Sequence, residues 1–532
     1  MSEPGRLSDR TLDLIVLLLA IGSLMAFWAV GDRPHPLGFP LDDAWIHMVY
    51  GRNLAHSGLL AFNEGVAATG STSPLWAGFV AIAHWIGGGD VDRIVTYVLA
   101  FGAACHVLTV VLVSRVIRAL TVDSYAGAVG GALVAVSGPM LMGAYSGMEV
   151  SLAAALLLAA VLSVLRRAWL SAGLYLAFAA LARPETVVVS IVCFAFVAWT
   201  AHTTAPRERN GVLARLTLPS LVLGAGLVAY ALWATGHALP ATFYMKQERN
   251  LGELPARLAT AFTGLIGDVP PFQTGLVALA LVGFVFAWRR VPQLRGAFVL
   301  VLVAPLAFVL ANVVLIQPRP NVFYHLRYLL PAIPLLVAAV VVGACELGRF
   351  EPLASRKLRY VPLALVGVFG IAQGVVTMKS DSTRLHNDTR NIEEVQRKLG
   401  GWIEQHTLAG TWIATGDAGA VKYFGRRPTI DVMGLNTPEL YWQPGWAQLH
   451  SIAAFVMLPC WFHPVDPSVA RIATSAQTEN YTVTTLGCMF EQYVVTCAGS
   501  RLTRLGFAGV KSFDLWCQPG SLVTGSSPTT PK

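Results

Sequence analysis

The run TLDLIVLLLAIGSLMAFWAV, residues 11–30, decides the class of fold. It is twenty residues long with one charged side chain, Asp13, and an α-helix of that length crosses the hydrocarbon core of a bilayer. Ten more apolar runs follow, and the 532-residue chain is 55% hydrophobic but only 13% charged, which excludes an ordinary soluble enzyme. We therefore predict a polytopic α-helical membrane protein with about eleven transmembrane helices. The ten further runs are residues 94–113, 124–143, 150–165, 169–181, 186–200, 216–235, 272–288, 296–316, 328–347 and 360–378.

Basic residues in the short loops predict the side of the membrane on which each loop lies. Residues 74–87 are apolar but short for a crossing, so we interpret them as an interfacial or half-inserted helix. The loops that contain Arg118, Arg167 and Arg290 then share the side of the N-terminus, and Lys and Arg in short loops mark the cytoplasmic face. We expect a cytoplasmic N-terminus, an odd number of crossings and an exterior first loop, residues 31–92. The net charge of +8 is thus a topology signal, and nucleic acid is not an expected partner.

The composition becomes mixed after the last apolar run, which predicts a soluble domain outside the membrane. Residues 391–406 have an amphipathic helical pattern, and short β-like runs such as 412–415 and 493–497 follow. An α/β fold is therefore expected for the tail. The predicted domains are a transmembrane domain (1–378), an exterior α/β domain (379–519) and a disordered end (520–532).

The cysteines and the missing motifs limit the possible cofactors. Four of the seven cysteines lie in the tail, where an oxidising compartment permits two disulfides with three possible connectivities. Zinc-site spacings, Walker loops and dinucleotide-binding glycine patterns are absent from the sequence. No cofactor is therefore expected with certainty, and a divalent cation stays open as an alternative. The tail cysteines are Cys460, Cys488, Cys497 and Cys517.

Two adjacent acids, Asp42 and Asp43, begin a predicted surface helix in the first loop. Carboxylates are stabilised at a helix N-terminus, so one interpretation is an N-cap with a neighbouring acid. The other is catalysis, because a carboxylate beside the bilayer can act as a general base toward an acceptor hydroxyl. We favour catalysis for the pair.

Ionisable residues at the ends of other apolar runs form a second candidate set. Glu149, Arg183 and Glu185 stand beside predicted membrane helices, where such groups are costly and are functional or paired with one another. A structural pair of Arg183 with Glu185 or Glu149 is the alternative to a role in binding. Further cations and a tyrosine on the same side complete the set of candidate donor-phosphate or substrate ligands, since Lys and Arg both suit a phosphate. These further candidates are Arg52, Tyr244, Lys246 and Arg327.

Several short motifs in a fixed order carry a family resemblance. They are Asp42-Asp43-Ala44, residues 70–76 (GSTSPLW), 146–149 (SGME), 183–185 (RPE), 240–246 (PATFYMK), 327–331 (RYLLP), 416–419 (GDAG) and 431–435 (DVMGL). With this set the sequence resembles the GT-C superfamily of multispanning glycosyltransferases that use lipid-phosphate-linked sugars, and most closely its mycobacterial terminal arabinofuranosyltransferase-like branch. It departs from that branch at Trp45 and Met148.

The resemblance implies a polyprenyl-phosphate sugar donor, a cell-envelope glycan or glycolipid acceptor, and an inverting displacement on the periplasmic face. It also implies a bacterial inner-membrane protein with a catalytic transmembrane domain (1–378) and a periplasmic α/β domain (379–519). On the same pattern a first-loop Asp is the base, Asp42 before Asp43, and Lys246, Arg183 and Arg327 are candidates for the donor phosphate. For residues 416–419 we prefer a simple turn over an acceptor site. The rival functions are a lipid-linked-sugar transporter or flippase, which predicts broken helices with midplane polar residues, and a noncatalytic assembly protein.

Overall fold

Helices dominate the computed structural model of the chain. It describes residues 7–32, 35–204, 206–246, 251–269, 272, 277–290, 295–315, 326–350, 358–457, 470–474, 493–496, 502–506 and 512–515. The first ten helices are α1 Asp9–Val30, α2 Asp42–Ser57, α3 Pro74–Gly87, α4 Val91–Thr121, α5 Ser124–Ala135, α6 Gly138–Ala144, α7 Val150–Leu165, α8 Trp169–Ala182, α9 Val187–Thr204 and α10 Arg209–Thr235. The next ten are α11 Ala241–Lys246, α12 Leu254–Asp268, α13 Val277–Arg290, α14 Arg295–Leu315, α15 Ile333–Gly348, α16 Val361–Ile392, α17 Lys398–His406, α18 Ala420–Gly425, α19 Glu439–Trp442 and α20 Trp446–Leu449. The strands are β1 Trp412–Thr415, β2 Thr429–Asp431, β3 Ile452–Met457, β4 Ala470–Thr474, β5 Tyr493–Thr496, β6 Leu502–Gly506 and β7 Ser512–Leu515.

The long apolar helices agree with a multi-pass membrane protein. Each of the eleven predicted runs coincides with a helix, but only six helices within the described residues are long and apolar enough to span by themselves. A seventh span results if α5 and α6, which meet at a bend of 65°, are counted together. Shorter apolar helices, namely α7, α8 and residues 300–314 of α14, account for three of the other predicted runs, so a total of about eleven crossings stays a prediction. The six are Asp9–Val30, Val91–Thr121, Pro184–Thr203, Arg209–Thr235, Leu330–Gly348 and Val361–His406.

The chain divides into two compact units that alternate along the sequence. The first comprises residues 1–33, 99–227 and 246–384, and the second comprises residues 34–98, 228–245 and 385–532. The first loop therefore belongs to the same unit as the tail. Domain boundaries at 378 and 519 stay a prediction, while the tail cysteines and residues 520–532 lie outside the described residues.

The first unit has a helix at its centre. The span Leu330–Gly348, which includes α15, is 94% buried over its apolar window, whereas Arg209–Thr235 is only 17% buried. Small residues let α13 approach α15 closely: a Cβ added at Gly283 would lie 1.8 Å from the carbonyl oxygen of Gly343. Such small-residue crossings are how helices pack in a bilayer, where the hydrophobic effect gives no preference for helix over lipid.

The second unit contains a mixed sheet in the order β2-β1-β3-β5-β4. Strand β1 is parallel to β2 and β3, and β5 is antiparallel to β3 and β4. The predicted strand 412–415 is confirmed, and the predicted helix 391–406 is the end of one long helix that passes through a π-helical turn, Glu393–Arg397, into α17. One apolar cluster joins α17 and α18 to β1 and β3; it comprises Leu399, Ile403, Ile413, Val421, Ala454 and Val456.

The prediction that α2 is a surface helix is wrong. Trp45, Met48, Val49 and Tyr50 have no exposed surface, because α3 packs on one part of α2 and α18 on another. Trp45, which distinguishes this chain from the branch it resembles, contacts the rings of Phe39, Tyr423 and Phe424. An amphipathic pattern alone does not reveal that a helix is covered on its second side.

Candidate active site

Asp42 is the first residue of α2 and is bound to the tail. The N-cap of α2 is Leu41, which makes no side-chain cap, so the N-cap interpretation of Asp42 is wrong. Its carboxylate instead accepts hydrogen bonds from the backbone N–H groups of Gly419, at 2.6 Å, and Ala420, at 2.7 Å. Asp42 thus caps the start of α18 with both carboxylate oxygens, and the helix dipole favours a negative charge there.

The segment that receives Asp42 is the predicted turn at 416–419. The chain leaves β1 between its two parallel neighbours, which is the switch point where open α/β sheets form crevices. The Thr415 hydroxyl donates to the carbonyl of Asp417 and accepts from its N–H, at 3.0 and 3.2 Å, which shapes the turn. A Cβ added at Gly419 would lie 2.1 Å from the carbonyl oxygen of Asp42, so the close approach requires glycine.

A second acid, Asp417, lies beside Asp42 and changes its electrostatics. The Gln396 amide donates to the Asp417 carboxylate at 2.7 Å. Burial, the charge of Asp417 and a carboxyl–carboxyl hydrogen bond with Asp417 raise the pKa of Asp42 well above its ordinary value, against the two backbone donors, which lower it. A carboxyl with such a pKa suits proton transfer and is a common feature of active sites.

The other candidates in this unit have different surroundings. Asp43 follows in the first turn of α2 and is half-buried. Arg52 donates to the Tyr423 carbonyl at 2.8 Å and lies 4.8 Å over the Tyr423 ring, so it ties α2 to α18. The Tyr244 ring packs near those of His237 and Trp442, at centroid distances of 5.5 and 5.8 Å.

Two further motifs of the resemblance meet in the same unit. Asp431 accepts from the Asn436 backbone and side-chain amides at 2.9 and 2.8 Å, and the Tyr50 hydroxyl donates to the Asn436 side chain at 3.1 Å. Burial raises the pKa of Asp431 to about 6. Gly70 lies against this network, since an added Cβ would be 2.3 Å from the Asn436 side-chain oxygen. Both first-loop motifs, Asp42 onward and 70–76, therefore contact tail motifs.

The acids and the arginine at the helix ends of the first unit form a buried ion triad. Arg183 Nη1 bonds Glu149 at 2.9 Å, while Nη2 and Nε bond Glu185 at 2.7 and 2.8 Å. Arg183 and Glu149 are 4% and 3% exposed, so the structure contains both pairs that the structural alternative named. The positive charge of Arg183 is thereby balanced by two carboxylates.

Arg327 and Lys246 are the remaining cations of the candidate set. Arg327 is half-buried and lies 5.0 Å over the Tyr328 ring, the same ring that the Arg183 guanidinium approaches at 5.4 Å. Lys246 is the last residue of α11, and its side chain lies outside the described atoms. Within the described parts of the chain, no group of three or more His, Cys, Asp or Glu side chains could hold a metal ion.

Sequence reasoning missed the two residues that support Asp42, namely Asp417 and Gln396. A signal for the first was present: Gly-Asp-Ala-Gly between a β-like run and a helix exposes backbone N–H groups to an anion. It also missed Asn63, whose side-chain amide pairs with the N–H and carbonyl of Thr429 at 2.9 Å each and so covers the edge strand β2. Buried Lys422, which donates to Asn63 at 2.9 Å, has a pKa lowered to about 7 by burial and by the charge of Arg52.

Comparison with known proteins identifies the fold. The chain is similar to ArnT from Cupriavidus metallidurans bound to undecaprenyl phosphate, with a TM-score of 0.54 and 12% identity over 92% of this chain and 98% of that one. It is also similar to the Archaeoglobus fulgidus oligosaccharyltransferase in the apo form, with a TM-score of 0.56 and 12% identity over 86% and 70% of the two chains. AglB from the same organism, in complex with an inhibitory peptide and a dolichol-phosphate, gives 0.54 and 11% over 84% and 69%. The chain has a GT-C fold.

The GT-C prediction is therefore confirmed for the fold, and the arabinofuranosyltransferase branch stays a prediction. Residues 388–502 match a family model described as a domain of unknown function (DUF8728). No curated protein matches the sequence.

Proposed function

We propose that the protein is a membrane glycosyltransferase that uses a polyprenyl-phosphate sugar donor. Its acceptor is a cell-envelope glycan or glycolipid on the periplasmic face of the inner membrane. The transferred sugar is arabinofuranose or a similar pentose or hexose, as the sequence resemblance implies. The GT-C fold and the lipid phosphates held by ArnT and AglB support this proposal. The observation that carries it is the acidic pair at the start of α2, in which Asp42 has a raised pKa.

The reaction is a single displacement with inversion. Asp42, or in its place Asp43, accepts the proton of an acceptor hydroxyl, and the oxygen attacks the anomeric carbon. The bond from that carbon to the donor phosphate breaks, and the lipid phosphate leaves with the electron pair. Cationic side chains stabilise the charge that grows on the phosphate. Because two carboxylates already balance Arg183, we assign this role to Arg327 and Lys246, and we assign Arg183, Glu149 and Glu185 a structural role within the first unit.

Radiolabelled polyprenyl-phosphate pentoses and hexoses, incubated with purified protein and an acceptor glycan, test the activity. Asp42→Asn and Asp43→Asn should each lower transfer, the true base by about 100-fold or more. Asp90→Asn is the matched control, since exposed Asp90 lies in the same loop and Asn caps a helix equally well.

The outcomes separate the roles. If Asp43→Asn loses transfer activity while folded Asp42→Asn retains it, the base is Asp43. If both variants retain transfer activity, a carboxylate base at either position is contradicted. If the wild-type protein transfers no sugar from any of these donors, the proposed glycosyltransferase activity is contradicted.

The rival transporter has one observation in its favour, the 65° bend between α5 and α6. Broken helices line the binding sites of many transporters. Reconstituted vesicles that carry the lipid-linked sugar on one leaflet decide this point: protein-dependent loss of leaflet asymmetry without sugar transfer indicates a flippase. If the protein shows neither sugar transfer nor lipid flipping, the result favours the noncatalytic assembly protein.

A further inference from the structure

The tail fixes the orientation of the Asp42 carboxyl group. Both oxygens of this carboxylate accept backbone donors from the same turn, which fixes the plane of the carboxyl group. Only a glycine at 419 permits this approach, because the Asp42 carboxylate oxygen would lie 2.8 Å from an added Cβ. The turn is therefore built around Asp42.

Asp417 occupies a defined place in this turn. Its backbone is held by the Thr415 hydroxyl, and its side chain accepts from Gln396 at 2.7 Å. It also forms a carboxyl–carboxyl hydrogen bond with Asp42, which requires one proton between the two groups. Two acids that share a proton titrate as a pair, and the proton comes off at a higher pH than for either acid alone.

We propose that Asp417 is a positioning residue for Asp42: it holds one proton jointly with the Asp42 carboxyl and, with the Gly419 and Ala420 N–H groups, presents that carboxyl in a single orientation. This inference rests on the proposed glycosyl transfer for its kinetic consequence alone. Asp417 touches neither donor nor acceptor in this account, and it acts through Asp42.

Among the charged groups near Asp42, Asp417 is the one whose carboxyl group hydrogen-bonds with the Asp42 carboxyl. Elements that pack against the start of α2 are α3 and α18, and the helical turn Glu393–Arg397 carries Gln396. Other cations nearby have their own acceptors. The charged or titratable groups on these elements are Asp43, His47, Tyr50, Arg52 and His56 on α2, His84 on α3, Lys422 and Tyr423 on α18, and Glu393, Glu394 and Arg397 on the helical turn. Lys422 donates to Asn63 and to the Arg427 carbonyl, Glu393 pairs with Arg397, and Arg52 donates to the Tyr423 carbonyl.

Asp417→Asn tests the inference through the pH profile of transfer. The amide still donates to Asp42 but carries no charge, so the acidic limb of kcat/KM should move to lower pH while the donor KM stays unchanged. Asp417→Ser, whose hydroxyl can accept from Gln396 and donate to Asp42, serves if the amide variant does not fold. Glu404→Gln, an exposed acid on α17, is the control and should reproduce the wild-type profile.

An acidic limb that stays at the wild-type pH in Asp417→Asn and Asp417→Ser overturns the inference, since a purely structural turn residue changes the amount of folded protein and not the limb. A divalent-ion dependence that disappears in either variant also overturns it, because the two acids then bind a cation in place of a proton.

A second measurement separates this inference from the proposed function. A raised pKa in the folded state gives stability that is present below the ordinary pKa of Asp and lost as the pH rises through the raised value. As the pH rises above the ordinary pKa of Asp, the thermal midpoint of the wild type should therefore fall more steeply than that of Asp417→Asn. If wild-type protein transfers no sugar yet shows this difference, the proposed function fails and the proton-sharing pair stands; equal slopes contradict the pair.

Discussion

At the residue scale, the structure adds most for the ionisable groups, because it identifies their hydrogen-bond and ion-pair partners. Sequence reasoning singled out Asp42 and Arg183, because charged groups beside membrane helices are costly. It named Glu149 and Glu185 as alternative partners of Arg183, but it named no partner for Asp42. Asp42 finds its donors 377 residues away at Gly419, and Arg183 joins both Glu149 and Glu185.

The buried triad leads to a prediction about stability. Arg183→Met leaves two carboxylates without their cation and should cost about 3–5 kcal/mol. Glu149→Gln should cost less, and Glu185→Gln least, because the Glu185 side chain is 16% exposed while that of Glu149 is 4% exposed. Denaturant unfolding in detergent micelles measures this order. An Arg183→Met variant as stable as the wild type would show that the triad contributes nothing.

At the scale of elements, α2 and the β1–α18 turn form one assembly. The sequence located the helix, the strand and the turn, since each has a local pattern. The prediction that α2 is a surface helix was wrong, because α3 and α18 both pack against it. Close approach is the physical reason: a Cβ added at Gly51 would meet the Val80 side chain at 2.3 Å.

Glycine substitutions test that assembly. Gly419→Ala places a methyl group against the Asp42 backbone and should destabilise the second unit by about 1–3 kcal/mol. Gly401→Ala in α17 is the matched control, since nothing lies within 4 Å of its added Cβ, and alanine should stabilise that helix by about 0.5–1 kcal/mol. Thermal scanning of both variants gives the comparison. Equal midpoints for the two would contradict the close contact at Gly419.

At the scale of the whole molecule, the fold supports a multi-pass membrane protein, and the loop charges predict its orientation. Exposed Asp90 lies in the predicted outer loop, and exposed Arg167 lies in a predicted cytoplasmic turn. The three described cysteines, Cys105, Cys193 and Cys345, are buried.

Thiol labelling tests the orientation directly. A membrane-impermeant maleimide added to intact spheroplasts should label Asp90→Cys, and should label Arg167→Cys only after permeabilisation. The unsubstituted chain reports the background from the tail cysteines. Labelling of Arg167→Cys without permeabilisation reverses the predicted topology and moves the acidic pair to the cytoplasm.

The sequence by itself determined the membrane class, every long apolar helix and the GT-C resemblance, because run length, hydropathy and short motifs are local properties of the chain. Only the tertiary structure decided that the first loop joins the tail, that Asp42 caps α18 and lies beside Asp417, and that Arg183 is balanced by two acids. The contacts of Asp42 join segments 377 residues apart, while those of Arg183 join residues only 2 and 34 positions away. In both cases no one-dimensional pattern encodes which buried polar group meets which donor.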